Sequence, residues 1–283
     1  MTDRWVEVGQ GVLVRRHDEL DLSTGLVIGD RGCLVIDTRC DLGQGAELAE
    51  AVRALTSLPW QVVITHAHFD HCLGTAALLP ATVWAHLGCR DDLAAGGARQ
   101  HAEARQHGFG AAEQVRPVVP DRVVAQRSEL DLGGRQVVLA HLGPGHTDHD
   151  LIVAVPDAGV VFAGDLVEQA APPAFEDAFP LHWPGTVSAM LALDVLTRWP
   201  THSKGPTVVP GHGHPVDRRF VTTQRDELAD LAAGCQAVVA GRLDIAGLLR
   251  RSPFDAATTR TALHRATAGN PTPCRLRPAD ETG

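Results

Sequence analysis

The stretch whose reading decides the fold is residues 65–74, THAHFDHCLG. It sets His66, His68, Asp70 and His71 within six residues. Imidazole and carboxylate are ligands for first-row divalent metals. The spacing has a physical sense. In an extended stretch residues i and i+2 point to one side, so His66 and His68 can grip one ion. Asp70 and His71 arrive as the chain turns into a helix and can face a second. The preceding WQVVIT reads as a short buried strand. The motif therefore lies at a strand end, where α/β sheets gather their functional groups.

The same setting recurs three times. His146 lies in GPGHTDHD (143–150), Asp165 closes FAGD (162–165), and His212 lies in VVPGHGH (208–214). Each has a glycine beside it that lets the backbone turn sharply. Alone, each would read as a loop histidine or a turn aspartate. Together with the first motif they read as one metal centre. No cysteine stands among these ligands, so the donor set suits zinc and equally iron or manganese. Cys72, next to His71, reads as a small packing residue.

Outward from the motif, RWVEV, GVLVRR, GLVIGD and CLVIDT read as strands, and GQGAELAEAVRALTS as a helix. Strand, helix and strand in that order predict a crossover unit. Residues 87–116 read as helical and polar, with GGARQHAEARQHG on the surface. Strands return from 122, TVSAMLALDVLTRW reads as one amphipathic helix, and 217–241 as a long helix capped by Asp217. The economical division is one α/β catalytic domain over 1–245. A C-terminal extension over 246–283 follows, frayed and disordered in its last part from about 268.

The chain has 283 residues, 44% hydrophobic, and a formal net charge of -9. An acidic chain without a basic block argues against nucleic acid and anionic membranes as partners. Lys204 is its one lysine, and it has no tyrosine. The six cysteines form no CxxC pair and read as reduced thiols. With no apolar leader at the start and no apolar run of membrane-span length, the expectation is a soluble cytoplasmic protein. Its expected partner is a small-molecule substrate. A homodimer is expected only on the general prevalence of dimers among enzymes.

The run from Asp37 in LVIDT through HAHFDH, GHTDHD, FAGD and PGHG resembles the metallo-β-lactamase superfamily, over roughly residues 5–240. The resemblance implies an αββα sandwich, two mixed β-sheets flanked by helices, with a dinuclear zinc site at one edge. By motif, His66, His68 and His146 would hold the first metal, and Asp70, His71 and His212 the second. Asp165 would bridge both, and Asp37 would orient ligands from behind. Asp70 would also assist the attacking water. The implied activity is hydrolysis of a small ester, thioester, lactone or amide by water that two zinc ions activate. A bridging aspartate resembles the glyoxalase II-like branch. The commonest β-lactamases of the family place a cysteine there, which makes β-lactam hydrolysis an alternative rather than the first reading. A mononuclear iron persulfide dioxygenase keeps a similar first motif and is the runner-up reading. The loop after Asp165 offers Phe175, Phe179, His182 and Trp183 as a substrate pocket, if they overhang the metals, or as packing against the sheet. His149, His182 and His214 are candidates to support the site from outside. His86, His101, His107 and His264 read as surface histidines.

Overall fold

A computed structural model describes residues 4–109, 116–197 and 205–268. The strand pattern of the sequence resolves into two sheets. The first has seven strands in chain order: β1 (Trp5–Gly9), β2 (Val12–Arg16), β3 (Ser23–Ile28), β4 (Cys33–Ile36), β5 (Trp60–Val63), β6 (Thr82–His86) and β7 (Arg122–Val124). The second has six, ordered β13 (Val216–Asp217), β12 (Thr207–His212), β11 (Val160–Glu168), β10 (Ile152–Val155), β9 (Gln136–Ala140) and β8 (Arg127–Asp131). Both are mixed. β4, β5, β6 and β7 run parallel in the first, and β11 and β12 in the second. The crossover expected from the sequence is β4, then α1 (Leu42–Arg53), then β5.

Alternation along the strands divides the core into three layers. On β4, Leu34 and Ile36 face the space between the sheets, while Cys33 and Val35 face the helices outside the first sheet. On β9, Val137 and Leu139 face inward, and Val138 and Ala140 face the opposite helices. A strand buried on both faces reads as a continuous apolar run, and these do. The result is an αββα sandwich. The outer layer on the first sheet includes α1, α2 (Phe69–Cys72), α3 (Leu87–Ala94) and α4 (Ala98–Gln106). On the second sheet it includes α5 (Trp183–Leu191), α6 (Asp194–Thr197), α7 (Arg218–Val239), α8 (Ile245–Arg251) and α9 (Ala256–Thr267).

Some expectations are corrected. The single helix over TVSAMLALDVLTRW is two, α5 and α6, because Asp194 starts a new first turn where an acidic residue is favoured. Beyond 245, where the C-terminal extension was expected to start, Leu248, Ala262 and Leu263 of α8 and α9 are buried in the same core as α7. The residues expected to be disordered, beyond 268, lie outside the described ones. Asp217 does cap α7, its carboxylate accepting from the Phe220 N–H at 2.9 Å. Among the described residues no helix is long and apolar enough to cross a membrane.

Candidate metal centre

Strand ends of both sheets meet at one edge of the sandwich. β5 delivers His66 and His68, and α2 carries Asp70 and His71. The loop between β9 and β10 brings His146, β11 carries Asp165, and β12 ends in His212. Residues 65–67 form bends rather than extended strand, so alternation is not what brings His66 and His68 together. The bends do it instead, and the ring centroids are 4.6 Å apart.

The ligand atoms fall into groups. His66, His68, His146 and Asp165 form one, and Asp70, His71 and His212 another. Asp165 stands between them. Its Oδ2 lies 3.6 Å from His66 Nε2, and 3.4 Å from both His146 Nε2 and His212 Nε2. Its Oδ1 lies 3.2 Å from His71 Nε2. Asp70 Oδ2 faces His212 Nε2 at 3.2 Å and His71 Nε2 at 3.5 Å. Glycine is required beside this carboxylate: a Cβ at Gly211 would land on Asp165 Oδ1.

The ring atoms facing away from the centre are mostly engaged. His66 Nδ1 meets Thr65 Oγ1 at 3.1 Å, and His68 Nε2 meets Asp177 Oδ2 at 3.0 Å. His71 Nδ1 meets Asp37 Oδ2 at 2.8 Å, and His212 Nδ1 meets the Leu20 carbonyl at 2.8 Å. A ring nitrogen that donates outward leaves its partner's lone pair aimed inward, the usual arrangement around a bound metal. Of the inward atoms, His68 Nδ1 and His146 Nε2 meet each other at 2.9 Å, and three others have no partner. His66 Nε2, His71 Nε2 and Asp165 Oδ1 are all buried without a partner. Buried polar atoms left unpaired are costly unless something else satisfies them. The donor set of imidazoles and carboxylates fits divalent cations.

The electrostatics agree. Burial would raise the Asp165 carboxyl, but His71, His212, His66 and His146 hold it well below the usual range. Burial would lower His71 and His212, but the carboxylates around them, Asp165 foremost, raise both. Negative charge is concentrated here and calls for positive charge.

Asp37 lies behind His71. It also accepts from the Thr65 N–H at 2.8 Å and the Thr65 hydroxyl at 2.9 Å. Its φ of 61° is the left-handed region, unfavourable for a non-glycine residue by about 1 kcal/mol or more and held here by those three bonds. His149 is not in either ligand group; its Nε2 accepts from the Ala67 N–H at 3.2 Å and braces the loop between two ligands. His214 pairs with Arg16 at the surface. Cys72 is buried in the core beside the site, among packing residues. Lys204 and Cys274 lie outside the described residues.

A cavity of about 930 Å³ opens over the ligands. Its walls are α4, through Arg99, Ala102, Glu103 and Gln106, and the loop residues Ala171, Pro172, Ala174, Glu176 and Asp177. Leu20, Phe69 and His107 complete them. Phe175, Phe179 and Trp183 do not line it. All three are buried to within 3% in the helical core, and His182 is exposed at the start of α5. For Phe175, Phe179 and Trp183 packing is the reading the structure has, and the assignment of all four residues to the pocket is corrected. His107, expected at the surface, is exposed there and stacks on Phe69, ring centroids 5.3 Å apart.

Several residues of the site were not legible. Thr65 immediately precedes the first ligand, the one signal that could have pointed to it. Asp177 and Arg99 sit in segments without any metal-binding pattern. Glu168 groups with Asp165 and His212. Three residues apart on one strand, Asp165 and Glu168 should face opposite ways, but the β11–β12 register slips between Gly164 and Glu168.

Comparison with known proteins gives the same picture. The sequence profile of the metallo-beta-lactamase superfamily matches residues 18–232. A metallo-beta-lactamase type 2 of Bacillus cereus is 27% identical over 211 residues, 73% of either chain. The metallo-beta-lactamase FIM-1 from Pseudomonas aeruginosa, in its mono-zinc form, is similar in fold. Its TM-score is 0.58 at 21% identity, with 81% of this chain and 96% of that one covered. The stereoselective inverting sec-alkylsulfatase Pisa1 from Pseudomonas sp. superposes with a TM-score of 0.73 at 16% identity. That match covers 97% of this chain and 52% of the sulfatase. With the sandwich, the ligand groups at its edge and the profile match over most of its length, this chain belongs to the metallo-beta-lactamase superfamily and is a metal-dependent hydrolase.

Proposed function

We propose that the protein is a two-zinc hydrolase of a small neutral ester, thioester, lactone or amide. The observation that carries this reading is the meeting of two complete ligand groups at Asp165. His66, His68 and His146 would hold one zinc, Asp70, His71 and His212 the other, and Asp165 both. Bound there, the ions would supply Lewis acidity, lowering the pKa of a water and polarising a carbonyl oxygen. Asp70, on the pocket floor, would accept a hydrogen bond from the attacking water as well as bind metal. A thiol nucleophile fits poorly, since burial pushes Cys72 and Cys89 well above their usual range.

The walls bear on the substrate. Leu20, Phe69, Ala171 and Pro172 offer apolar surface. Arg99 is already engaged by Asp92, by Glu103 at 3.2 Å and by Asp177 at 3.2 Å. Glu103, Glu176 and Asp177 surround it with negative charge. An anionic substrate tail would meet like charge there, whereas a neutral one would not. This weighs against β-lactams, which carry a carboxylate, despite the name of the Bacillus cereus relative. The second ligand group weighs against a one-iron persulfide oxygenase, which would leave it unused.

The test uses matched esters with neutral and carboxylate tails, a thioester, a lactone and a β-lactam, with and without chelator. Chelator-sensitive turnover that favours the neutral ester by about tenfold in kcat/KM is expected. Faster turnover of the anionic ester or the β-lactam would overturn the substrate reading. Oxygen uptake with a persulfide, at one iron per chain, would overturn the reaction class.

A further inference from the structure

We infer that Asp177 is the positioning residue of the first metal group, and that Arg265 on α9 sets it in place. The inference rests on the metal reading of the site. His68 is the most exposed ligand of its group, its side chain 17% accessible against 1% and 2% for His66 and His146. Packing alone orients it least. Its outward Nε2 is held by Asp177 Oδ2 at 3.0 Å, which leaves Nδ1 facing inward, 2.9 Å from His146 Nε2.

Asp177 itself lies in irregular chain between β11 and α5, with no sheet or helix ladder to fix it. Side chains do so instead. The Arg265 guanidinium donates to the Asp177 carbonyl at 2.7 Å and to the Ala178 carbonyl at 3.0 Å. It also lies over the Phe179 ring, 5.9 Å from its centroid. The Phe179 N–H donates to the Gly145 carbonyl, next to the ligand His146. Arg99 on α4 donates to the same carboxylate oxygen that His68 uses. Arg265 has a fixed base, because Ala262 and Leu263 bury α9 in the core. A line of hydrogen bonds thus runs from a helix beyond every ligand in the chain to one imidazole. The second group has no such dependence: His71 rests on Asp37 and His212 on the Leu20 carbonyl.

The test is a zinc titration of the full chain against a chelating indicator, reading both sites. Asp177→Ala should weaken the first site by about 10–100-fold and leave the second unchanged. Asp177→Asn, which keeps an acceptor for His68, should recover part of that loss. Arg265→Ala should weaken the same site by about fivefold, the scale of one hydrogen bond. In the Asp177→Ala background, Arg265→Ala should add nothing, since its effect passes through Asp177. A merely structural role for Arg265 would instead lower the melting temperature of the metal-free chain, with the two losses adding or both sites weakening alike. Either outcome, or an Asp177→Ala protein that binds both zincs as the parent does, overturns the inference. A parent chain that binds no zinc would instead overturn the underlying reading of the site.

Discussion

The floor of the pocket is made of ligands at the ends of β5, β11 and β12, and its walls of α4 and the loop after β11. On the floor, the side chains of His66, Asp70, His71, His146 and Asp165 are at most 7% accessible, and those of His68 and His212 are 17% and 15%. On the walls, Arg99, Glu103 and Asp177 are between 32% and 39% accessible. Floor residues are fixed from several directions at once, by sheet backbone, by Asp37 and Thr65, and by one another. Wall residues are held by half-exposed ion pairs, each worth about 0–1 kcal/mol. The floor therefore tolerates little, while the walls, Asp177 apart, can be exchanged at small cost to stability, which is how one fold serves many substrates.

The sharpest way to break this comparison is Asp165→Ala. It removes the one residue placed between the two groups, so both metals and all hydrolysis should be lost. Retention of two tightly bound ions, by elemental analysis of the variant, would show that the floor is not built around Asp165. Trp183 tests the corrected boundary of the walls. As a fully buried core residue its replacement by Ala should cost about 3–5 kcal/mol in denaturant unfolding. If instead stability held and only KM rose, Trp183 would belong to the pocket after all.

His86 and His141 are neighbours away from the ligand groups, with ring centroids 4.3 Å apart. Burial, then the neighbouring His141 and His149, lowers His86 to about 4, and burial lowers His141 as well. Both are kept neutral in the folded chain, while the unfolded chain takes up protons below about pH 6.5. Stability should therefore fall as pH drops from 6.5 towards 4, by about 1–2 kcal/mol for His86 after discounting its partial exposure. A His86→Gln chain should show a shallower decline in melting temperature over that window. An unchanged slope would remove His86 as the source. The smallest effect belongs to the wall. Arg99→Ala should change unfolding free energy by under about 1 kcal/mol and act mainly on KM. A collapse of stability there would mean that the wall is as rigid as the floor.

The same contrast explains what the sequence made legible. Ligands are written in residue type, four of them in one motif, and His146, Asp165 and His212 each follow a glycine at a strand end, so the floor could be read. The two sheets could be read because their strands are apolar runs separated by turn residues. The walls could not. GGARQHAEARQHG reads as a solvated helix, yet Gln100 is buried and its amide donates to the Ala67 carbonyl between two ligands at 3.0 Å. A polar face reports polar surroundings and does not distinguish water from a binding pocket. Conversely, Phe175, Phe179 and Trp183 sit on a proline-rich loop that suggests an overhang, but their apolar bulk takes them into the core. Glu168 was hidden by a slip of strand register, which no periodicity anticipates.

The most direct test of the central claim is the metal content of the purified chain, measured together with its hydrolysis of the neutral ester. Close to two zinc ions per chain, with activity lost on chelation and restored by zinc, is the result expected from two groups sharing Asp165. A chain purified without chelator that carries no transition metal, or that hydrolyses the ester equally well once its metal is stripped, would contradict it.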